Sequence, residues 1–381
     1  MEPMLPSPIS RELQDLGVEL SEKAAHLAGM IHPTTQLSIG ELVRSMNCYY
    51  SNLIEGHDTH PRDIDRALKG DFSAEPEKRD LQLEAKAHIL LQEKIDTQNI
   101  EENKTVAFIQ WLHREFCEHL PDDLLWVENP DTKEKIPVEP GKFRETDVAV
   151  GRHIPPSAEN IPDFLKRFTD AYDPDRLGRM DRLVAAAASH HRLLWIHPFI
   201  DGNGRVARLY SHAYLKTIGI GSSLWSASRG LARNVENYKT RLDAADAPRQ
   251  GDLDGRGSLS QKGLEEFCAF FLGVCIDQID FMESLLKPDE LIRRIEIYSE
   301  EEVRARRLPK GSFPLLRESL LAGEFERGKA AGLTGYKDRQ ARTVLKELLE
   351  KGLLTSRSVK GPVRLGFPIG IVERWFPSLY P

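Results

Sequence analysis

One stretch of the chain concentrates the residue types that do phosphate and proton chemistry: His197-Pro-Phe199-Ile-Asp201-Gly202-Asn203-Gly204-Arg205-Val-Ala-Arg208. Gly202-Asn203-Gly204 can wind tightly and aim several backbone N–H groups at one point. The helix expected after Gly204 adds the unpaired donors and positive dipole end of its first turn. Arg205 and Arg208, three apart on that helix, both reach toward the same anion. Two guanidiniums beside a nest of amides fit a polyphosphate better than a single carboxylate. Asp201 adjoins the nest and suits Mg²⁺, which prefers one or two carboxylates plus phosphate oxygens. His197 titrates near neutral pH and can take a proton from an attacking hydroxyl. Two competing readings of the glycines fail on context. Gly-Asn-Gly-Arg-Val-Ala fits a dinucleotide pattern but follows a helix instead of a strand, and a Walker loop needs Gly-Lys-Ser/Thr where this chain has Gly-Arg-Val. A third, a structural helix cap with incidental charges, suits a lone Gly-Asn-Gly better than the whole set.

The elements that must position this segment are mainly helical. Apolar residues recur at helical spacing over Leu13–Met30, Leu37–Leu53, Glu77–Ile95 and Thr105–His119. Near Lys135 the period changes: Ile136-Pro-Val138 and Val148-Ala-Val150, separated by Pro140-Gly141, read as a short hairpin closed by His153-Ile-Pro-Pro. Helices resume at about Ile161 and Met180. The second is apolar nearly all round through Val184–Ser189, hence a buried central helix, and Pro198 ends it at Ile196 or His197. Two long helices, Leu264–Leu286 and Pro288–Arg306, lead to a linker at Arg307–Ser312. Beyond it come helices over Pro314–Ala322, Phe325–Ala331 and Tyr336–Lys351, then two strands, Leu353–Arg357 and Val363–Phe367. Three helices plus a hairpin is the order of a winged helix-turn-helix. The expected organisation is an N-terminal helical region (1–110), a central domain (111–286), a helical linker (287–311) and a C-terminal domain (312–381).

Composition narrows the class. A net charge of −7 over 381 residues argues against the whole chain binding nucleic acid or a membrane surface. No apolar run approaches membrane-spanning length and no signal peptide is visible, so the expected location is cytoplasmic. Cys48, Cys117, Cys268 and Cys275 form no Cys-x-x-Cys pair and read as core packing.

The segment His197–Arg208 resembles the Fic family motif, H-x-F-x-[DE]-G-N-G-R-x-x-R, at every defined position, and the likeness extends over about residues 35–285. The resemblance implies a mainly α-helical Fic-type bundle with a β-hairpin flap and a protein adenylyltransferase activity that moves AMP from ATP to a Ser, Thr or Tyr hydroxyl. It implies that His197 is the base, Phe199 anchors the loop and Asp201 binds Mg²⁺ bridging the α- and β-phosphates. Gly202, Asn203 and Gly204 would cradle the phosphates, with Arg205 and Arg208 on the β- and γ-phosphates. The segment Val148, Ala149, Val150, Gly151, Arg152 and His153 resembles the flap that pairs with an extended target segment. Asn234 and Tyr238 match positions that line the adenosine pocket in similar proteins; ordinary surface and packing roles fit them equally.

Ser51-Asn-Leu-Ile-Glu55-Gly56 is similar to the family's inhibitory motif, [ST]-x-x-x-E-[GN], carried on a helix over about 37–55. It also reads as a helix C-terminus with Gly56 as left-handed cap, and both can hold together. The resemblance implies a Glu55–Arg208 ion pair occupying the arginine meant for the γ-phosphate. In some relatives the same glutamate orients water for removing AMP. Self-modification and a homodimer are further expectations from the family.

Tyr336–Arg364 holds eight Lys/Arg against three Asp/Glu. A basic winged helix can touch DNA phosphates, or serve as a protein-interaction module with a solvated face. The alternatives to AMP transfer are therefore a DNA-binding regulator whose central domain senses a nucleotide, and a Fic transferase of another phosphate-containing group. Asp252-Leu-Asp254-Gly-Arg256-Gly257 resembles a calcium loop but puts a cation where an oxygen ligand belongs, so a loop capping the next helix is expected. His190 and His191 read as packing or surface residues, and Glu300–Arg307 as a solvated face.

Overall fold

The computed structural model describes residues 1–98, 105–129 and 132–381. They group into two compact units: Met1–Ala24, Asn47–Ser222 and Ser226–Gln278 form one, and Ala25–Met46, Ser223–Trp225 and Ile279–Pro381 the other.

The N-terminal periodicities become α1 (Arg11–Met30), α2 (Pro33–Ile54), α4 (Pro76–Thr97) and α5 (Val106–Cys117), with a short α3 (Pro61–Leu68) between. Proline at the first helical position starts α3 and α4, where its missing N–H would be unpaired anyway. Thr105 caps α5 by accepting from the Phe108 amide at 3.3 Å. After α6 (Ile161–Ala171) comes α7 (Arg179–Ile196), on which Val184 and Ala185–Ala188 are fully buried. Four successive alanines let α8 (Asn203–Thr217) pack close against α7, and α8 also meets α4 and α5. As the following proline requires, α7 stops at Ile196. Helix α8 begins at Asn203, just ahead of the expected start, because Gly202 takes a left-handed conformation (φ +77°) as its cap. Helices α9 (Ala227–Arg233), α10 (Val235–Asp246) and α11 (Gln261–Leu286) follow. The loop before α11 is a cap: Asp254 accepts from the Gln250 and Lys262 amides, both at 2.8 Å.

The pairing of the central hairpin differs from the sequence reading. Strand β2 (Lys135–Pro137) pairs antiparallel with the upstream β1 (Trp126–Glu128), Val127 opposite Ile136, and not with residues 148–150. Pro140-Gly141 does turn the chain, with Gly141 at φ +78° and Lys142 N–H bonded to Glu139 C=O. That turn docks on α5, where the Gly141 amide donates to His113 Nδ1 at 2.8 Å and Gln110 donates to the Gly141 carbonyl at 3.1 Å. Docking leaves Val148–Val150 no strand to pair with. They close into a tight turn in which Val150 and His153 exchange backbone hydrogen bonds.

In the second unit, α12 (Pro288–Arg304) and α13 (Ser312–Leu321) lead to β3 (Glu324–Phe325), α14 (Ala330–Thr334), α15 (Asp338–Glu350), β4 (Leu354–Thr355), β5 (Val363–Leu365) and α16 (Ile369–Trp375). The three strands form an antiparallel sheet in the order β3-β5-β4. Phe325 is thus a strand residue opposite Val363, where a helix over Phe325–Ala331 was expected. Its buried ring under β5 outweighs local helix propensity. The unexpected α16 buries Trp375 against Tyr298 and Phe367.

Candidate active site

The functional segment forms the turn between α7 and the N-terminus of α8. His197 caps α7 in a left-handed conformation (φ 49°, ψ 61°), a costly geometry for a side chain with a Cβ. The surrounding bonds hold it there. Buried Arg144 donates through Nε to the His197 carbonyl at 2.8 Å and also to the Thr146 and Pro156 carbonyls, while its own amide donates to Pro198 C=O. The loop then folds over Phe199, which is fully buried and stacks on His113 with centroids 3.9 Å apart. Asn203 closes it: its Oδ1 accepts from Phe199 N–H at 3.0 Å and its Nδ2 donates to Phe199 C=O at 2.9 Å. Both polar atoms of this side chain are engaged with the loop, leaving backbone amides to face an anion. The first-turn amides of α8 have no intrahelical acceptor.

The electrostatics suit a base at rest. Burial first, then the positive charges of His153 and Arg144, push His197 down to about 4, so its imidazole is neutral at pH 7. His113 is also pushed down to about 4 by burial. Because His113 Nδ1 accepts from the Gly141 amide, its proton sits on Nε2, toward the Asp201 backbone. The Asp201 carboxylate is half exposed and lies 3.4 Å from Arg205. A lone accessible carboxylate beside amide donors fits an ion that arrives with phosphate and keeps its waters. Among the described residues no cluster of three metal-ligating side chains occurs.

The two arginines diverge. Arg208 donates through Nε to Ser51 Oγ at 2.8 Å and through Nη2 to Ser51 C=O at 3.1 Å and Glu55 Oε1 at 2.5 Å. Glu55 follows the end of α2, where Gly56 (φ +87°) forms the left-handed cap expected from the sequence. Burial opposes charge on Glu55, but Arg208 overcomes it and holds the carboxyl below its ordinary range. The carboxylate lies over the glycine turn: a Cβ built on Gly204 would collide with Glu55 Oε1. Arg205 instead lies over the Phe116 ring, 3.3 Å from Glu84 Oε1. Glu84 Oε2 contacts His57 Nδ1 at 2.6 Å. Farther along α4, Asp96 meets His212 of α8 at 2.7 Å.

Asn234 and Tyr238 are not parts of this loop. Asn234 is exposed at the end of α9 and donates to Gly230 C=O at 2.9 Å. Tyr238 is buried, its hydroxyl 2.7 Å from His190 Nε2 and beside Arg208. His190 Nδ1 faces Ser211 Oγ at 2.8 Å, so both motif-preceding histidines are buried packing residues. Of the turn at 148–153, Ala149, Val150, Gly151 and Arg152 are exposed, while Val148 and His153 are half-buried. Sequence reasoning missed Arg144, His113, Glu84 and His57. Each is a single residue remote from the motif, and only Glu84, an acid on the largely buried face of α4, carried any signal.

A histidine-bearing turn leading into a helix start with unpaired amides is suited to binding phosphate, here on a mainly helical scaffold. Residues 103–215, which include that turn, match the Fic/DOC family. Protein adenylyltransferase Fic of Nematostella vectensis is 38% identical over 101 residues, 26% of this chain and 23% of that protein. Its namesake in Drosophila grimshawi is 39% identical over 83 residues, 22% of this chain and 17% of the other. The matched region thus spans less than a quarter of the length of these curated relatives. A Fic family protein from Desulfovibrio desulfuricans G20 superposes with a TM-score of 0.56 at 18% identity, covering 96% of this chain and 98% of that one, which shows a shared fold.

Proposed function

We propose that the protein transfers AMP from ATP to a Ser, Thr or Tyr hydroxyl of a protein, and that Glu55 restrains it. The observation that carries this reading is His197, held by Arg144 in a left-handed cap at the turn that leads into the free amides of α8. His197 takes the hydroxyl proton as the oxygen attacks the α-phosphorus. The P–O bond to the β-phosphate breaks and pyrophosphate leaves. The Gly202–Gly204 amides, Arg205 and Arg208 bind phosphate oxygens. Asp201 would hold Mg²⁺, which would supply charge neutralisation to the phosphates. Phe199 and Asn203 keep the loop in shape. The exposed turn at 148–153 presents Val150 and, next to it, Ile154, 80% exposed, to an extended target segment.

With Glu55 on Arg208, the guanidinium is occupied and the carboxylate lies over the glycines that must approach phosphate. ATP would have to displace it or bind out of line. Self-modification is the expected first readout, a homodimer is a further expectation, and the same Glu55 is the group to test for AMP removal. The four buried thiols fit the proposed cytoplasmic location. The helices and sheet of residues 312–381 are read as a winged helix. Lys337, Arg339 and Arg342 are exposed at the start of α15 and make it the candidate for DNA phosphates. Binding of duplex DNA at two salt concentrations tests that contact, and binding that ignores salt counts against it.

The proposed activity is tested by incubating the protein with α-labelled ATP and Mg²⁺. Labelling lost in His197→Ala supports it, and labelling retained there overturns the base assignment.

A further inference from the structure

In the turn at 148–153, the His153 side chain reaches two neighbouring helices. His153 Nε2 lies 2.8 Å from the Trp195 carbonyl and Nδ1 lies 3.1 Å from Asp246 Oδ2. Both partners are acceptors, so both ring nitrogens must carry protons for both bonds to exist. Trp195 belongs to the last turn of α7, whose carbonyls lack intrahelical partners and whose dipole end favours a cation. Asp246 belongs to α10 and is shared: its Oδ1 lies 3.1 Å from His191 Nε2. His191 Nδ1 in turn accepts from Arg192 at 3.0 Å, which fixes His191 as the neutral Nε2–H form. The carboxylate is therefore left with its charge for His153.

We infer that His153, as an imidazolium, is a positioning residue that clasps the flap turn to the end of α7, two residues before His197, and to α10. The inference rests on the reading of His197 as base and of this turn as the target-docking flap. Among the described residues, the backbone bonds inside the turn are those that Val150 and His153 exchange with each other, and the His153 ring adds bonds to the helices. The charged and titratable groups facing His153 are Asp246 and Asp243 from α10, and His197, whose proton affinity the imidazolium depresses. Burial opposes the charge, but Asp246 and the Trp195 carbonyl outweigh it and raise His153 above its ordinary value. The clasp is thus complete below that raised value and loses one of its bonds as pH climbs through it.

Two measurements test the clasp. The first needs no activity: amide exchange protection at residues 150–153, read as protection factors across pH. Wild type should lose roughly tenfold protection there as His153 deprotonates, the scale of one charge-assisted hydrogen bond. His153→Gln should show the low value at every pH. Protection in wild type that does not change with pH, or that His153→Gln preserves, overturns the inference. The second is the pH profile of self-labelling in a Glu55→Gly background. An alkaline decline is expected that is absent in His153→Arg, which keeps a charge and donors. The same decline in His153→Arg contradicts the clasp. If His197→Ala leaves labelling intact, the base reading fails while the exchange result still decides the clasp.

Discussion

Replacing Glu55 with Gly removes the carboxylate that occupies Arg208, and the structure sets the size of the effect. The lost contact is a charge-assisted hydrogen bond of 2.5 Å between a largely buried guanidinium and a carboxylate with 32% side-chain exposure. Such bonds contribute about 1.5–3 kcal/mol, which solvent at Glu55 reduces toward the lower figure. If ATP must displace Glu55 to reach Arg208, relief of that competition raises the AMP-transfer rate roughly ten- to a hundredfold, at about 1.4 kcal/mol per decade. The fold should survive. Arg208 keeps its two bonds to Ser51, and position 55 lies outside α2, so Gly incurs no helix-interior penalty. The assay is initial-rate incorporation of α-labelled ATP at subsaturating nucleotide, with circular dichroism to confirm folding. Arg208→Ala should be slow with or without Glu55, because it removes the guanidinium proposed to hold the phosphate. A folded Glu55→Gly protein labelling at the wild-type rate refutes the reasoning, as does full activation in the absence of Arg208.

In the Glu55→Gly background, His197→Ala should lower labelling by about 10²–10⁴, the usual contribution of a positioned base. The free enzyme's rate should fall with acid only as pH approaches about 4, where His197 becomes charged, and an acid limb near neutrality would contradict the neutral-base assignment. Asn203→Ala leaves the Phe199 N–H and C=O without partners and should cost about 1–3 kcal/mol, read as a thermal midpoint lower by roughly 2–4 °C per kcal/mol. His57 is raised mainly by its bond to Glu84, so its contribution to stability is full below the unfolded value and disappears as pH rises through the folded one. Thermal melts should therefore show the advantage of wild type over His57→Ala shrinking on the alkaline side. An advantage that grows there overturns the pairing.

The His197–Arg208 turn was legible because its chemistry is contiguous: histidine, carboxylate, glycines and arginines follow one another, and Pro198 marks the helix end. Glu55 and Arg208 are 153 positions apart, and only the resemblance to a family motif linked them. Arg144 and His113 hold the same turn in shape, yet neither has a spacing relation to it; their roles arise from how the Pro140-Gly141 turn docks on α5. That docking also explains the misassigned hairpin. The turn signature was real, but Trp126–Glu128 rather than the segment beyond the turn had an edge available. Strand β3 has two residues, too few for any periodicity, and its identity follows from the distant β5. Long amphipathic helices carry their own pattern; short strands and lone anchoring side chains do not.

The central claim is that the His197–Arg208 turn transfers AMP under the restraint of Glu55. Intact-mass analysis of the Glu55→Gly protein after incubation with ATP and Mg²⁺ tests it most directly. The account predicts a mass increase of one adenylyl group that is absent in the Glu55→Gly/His197→Ala protein. An unchanged mass, or an increase matching a bare phosphoryl group, would contradict it.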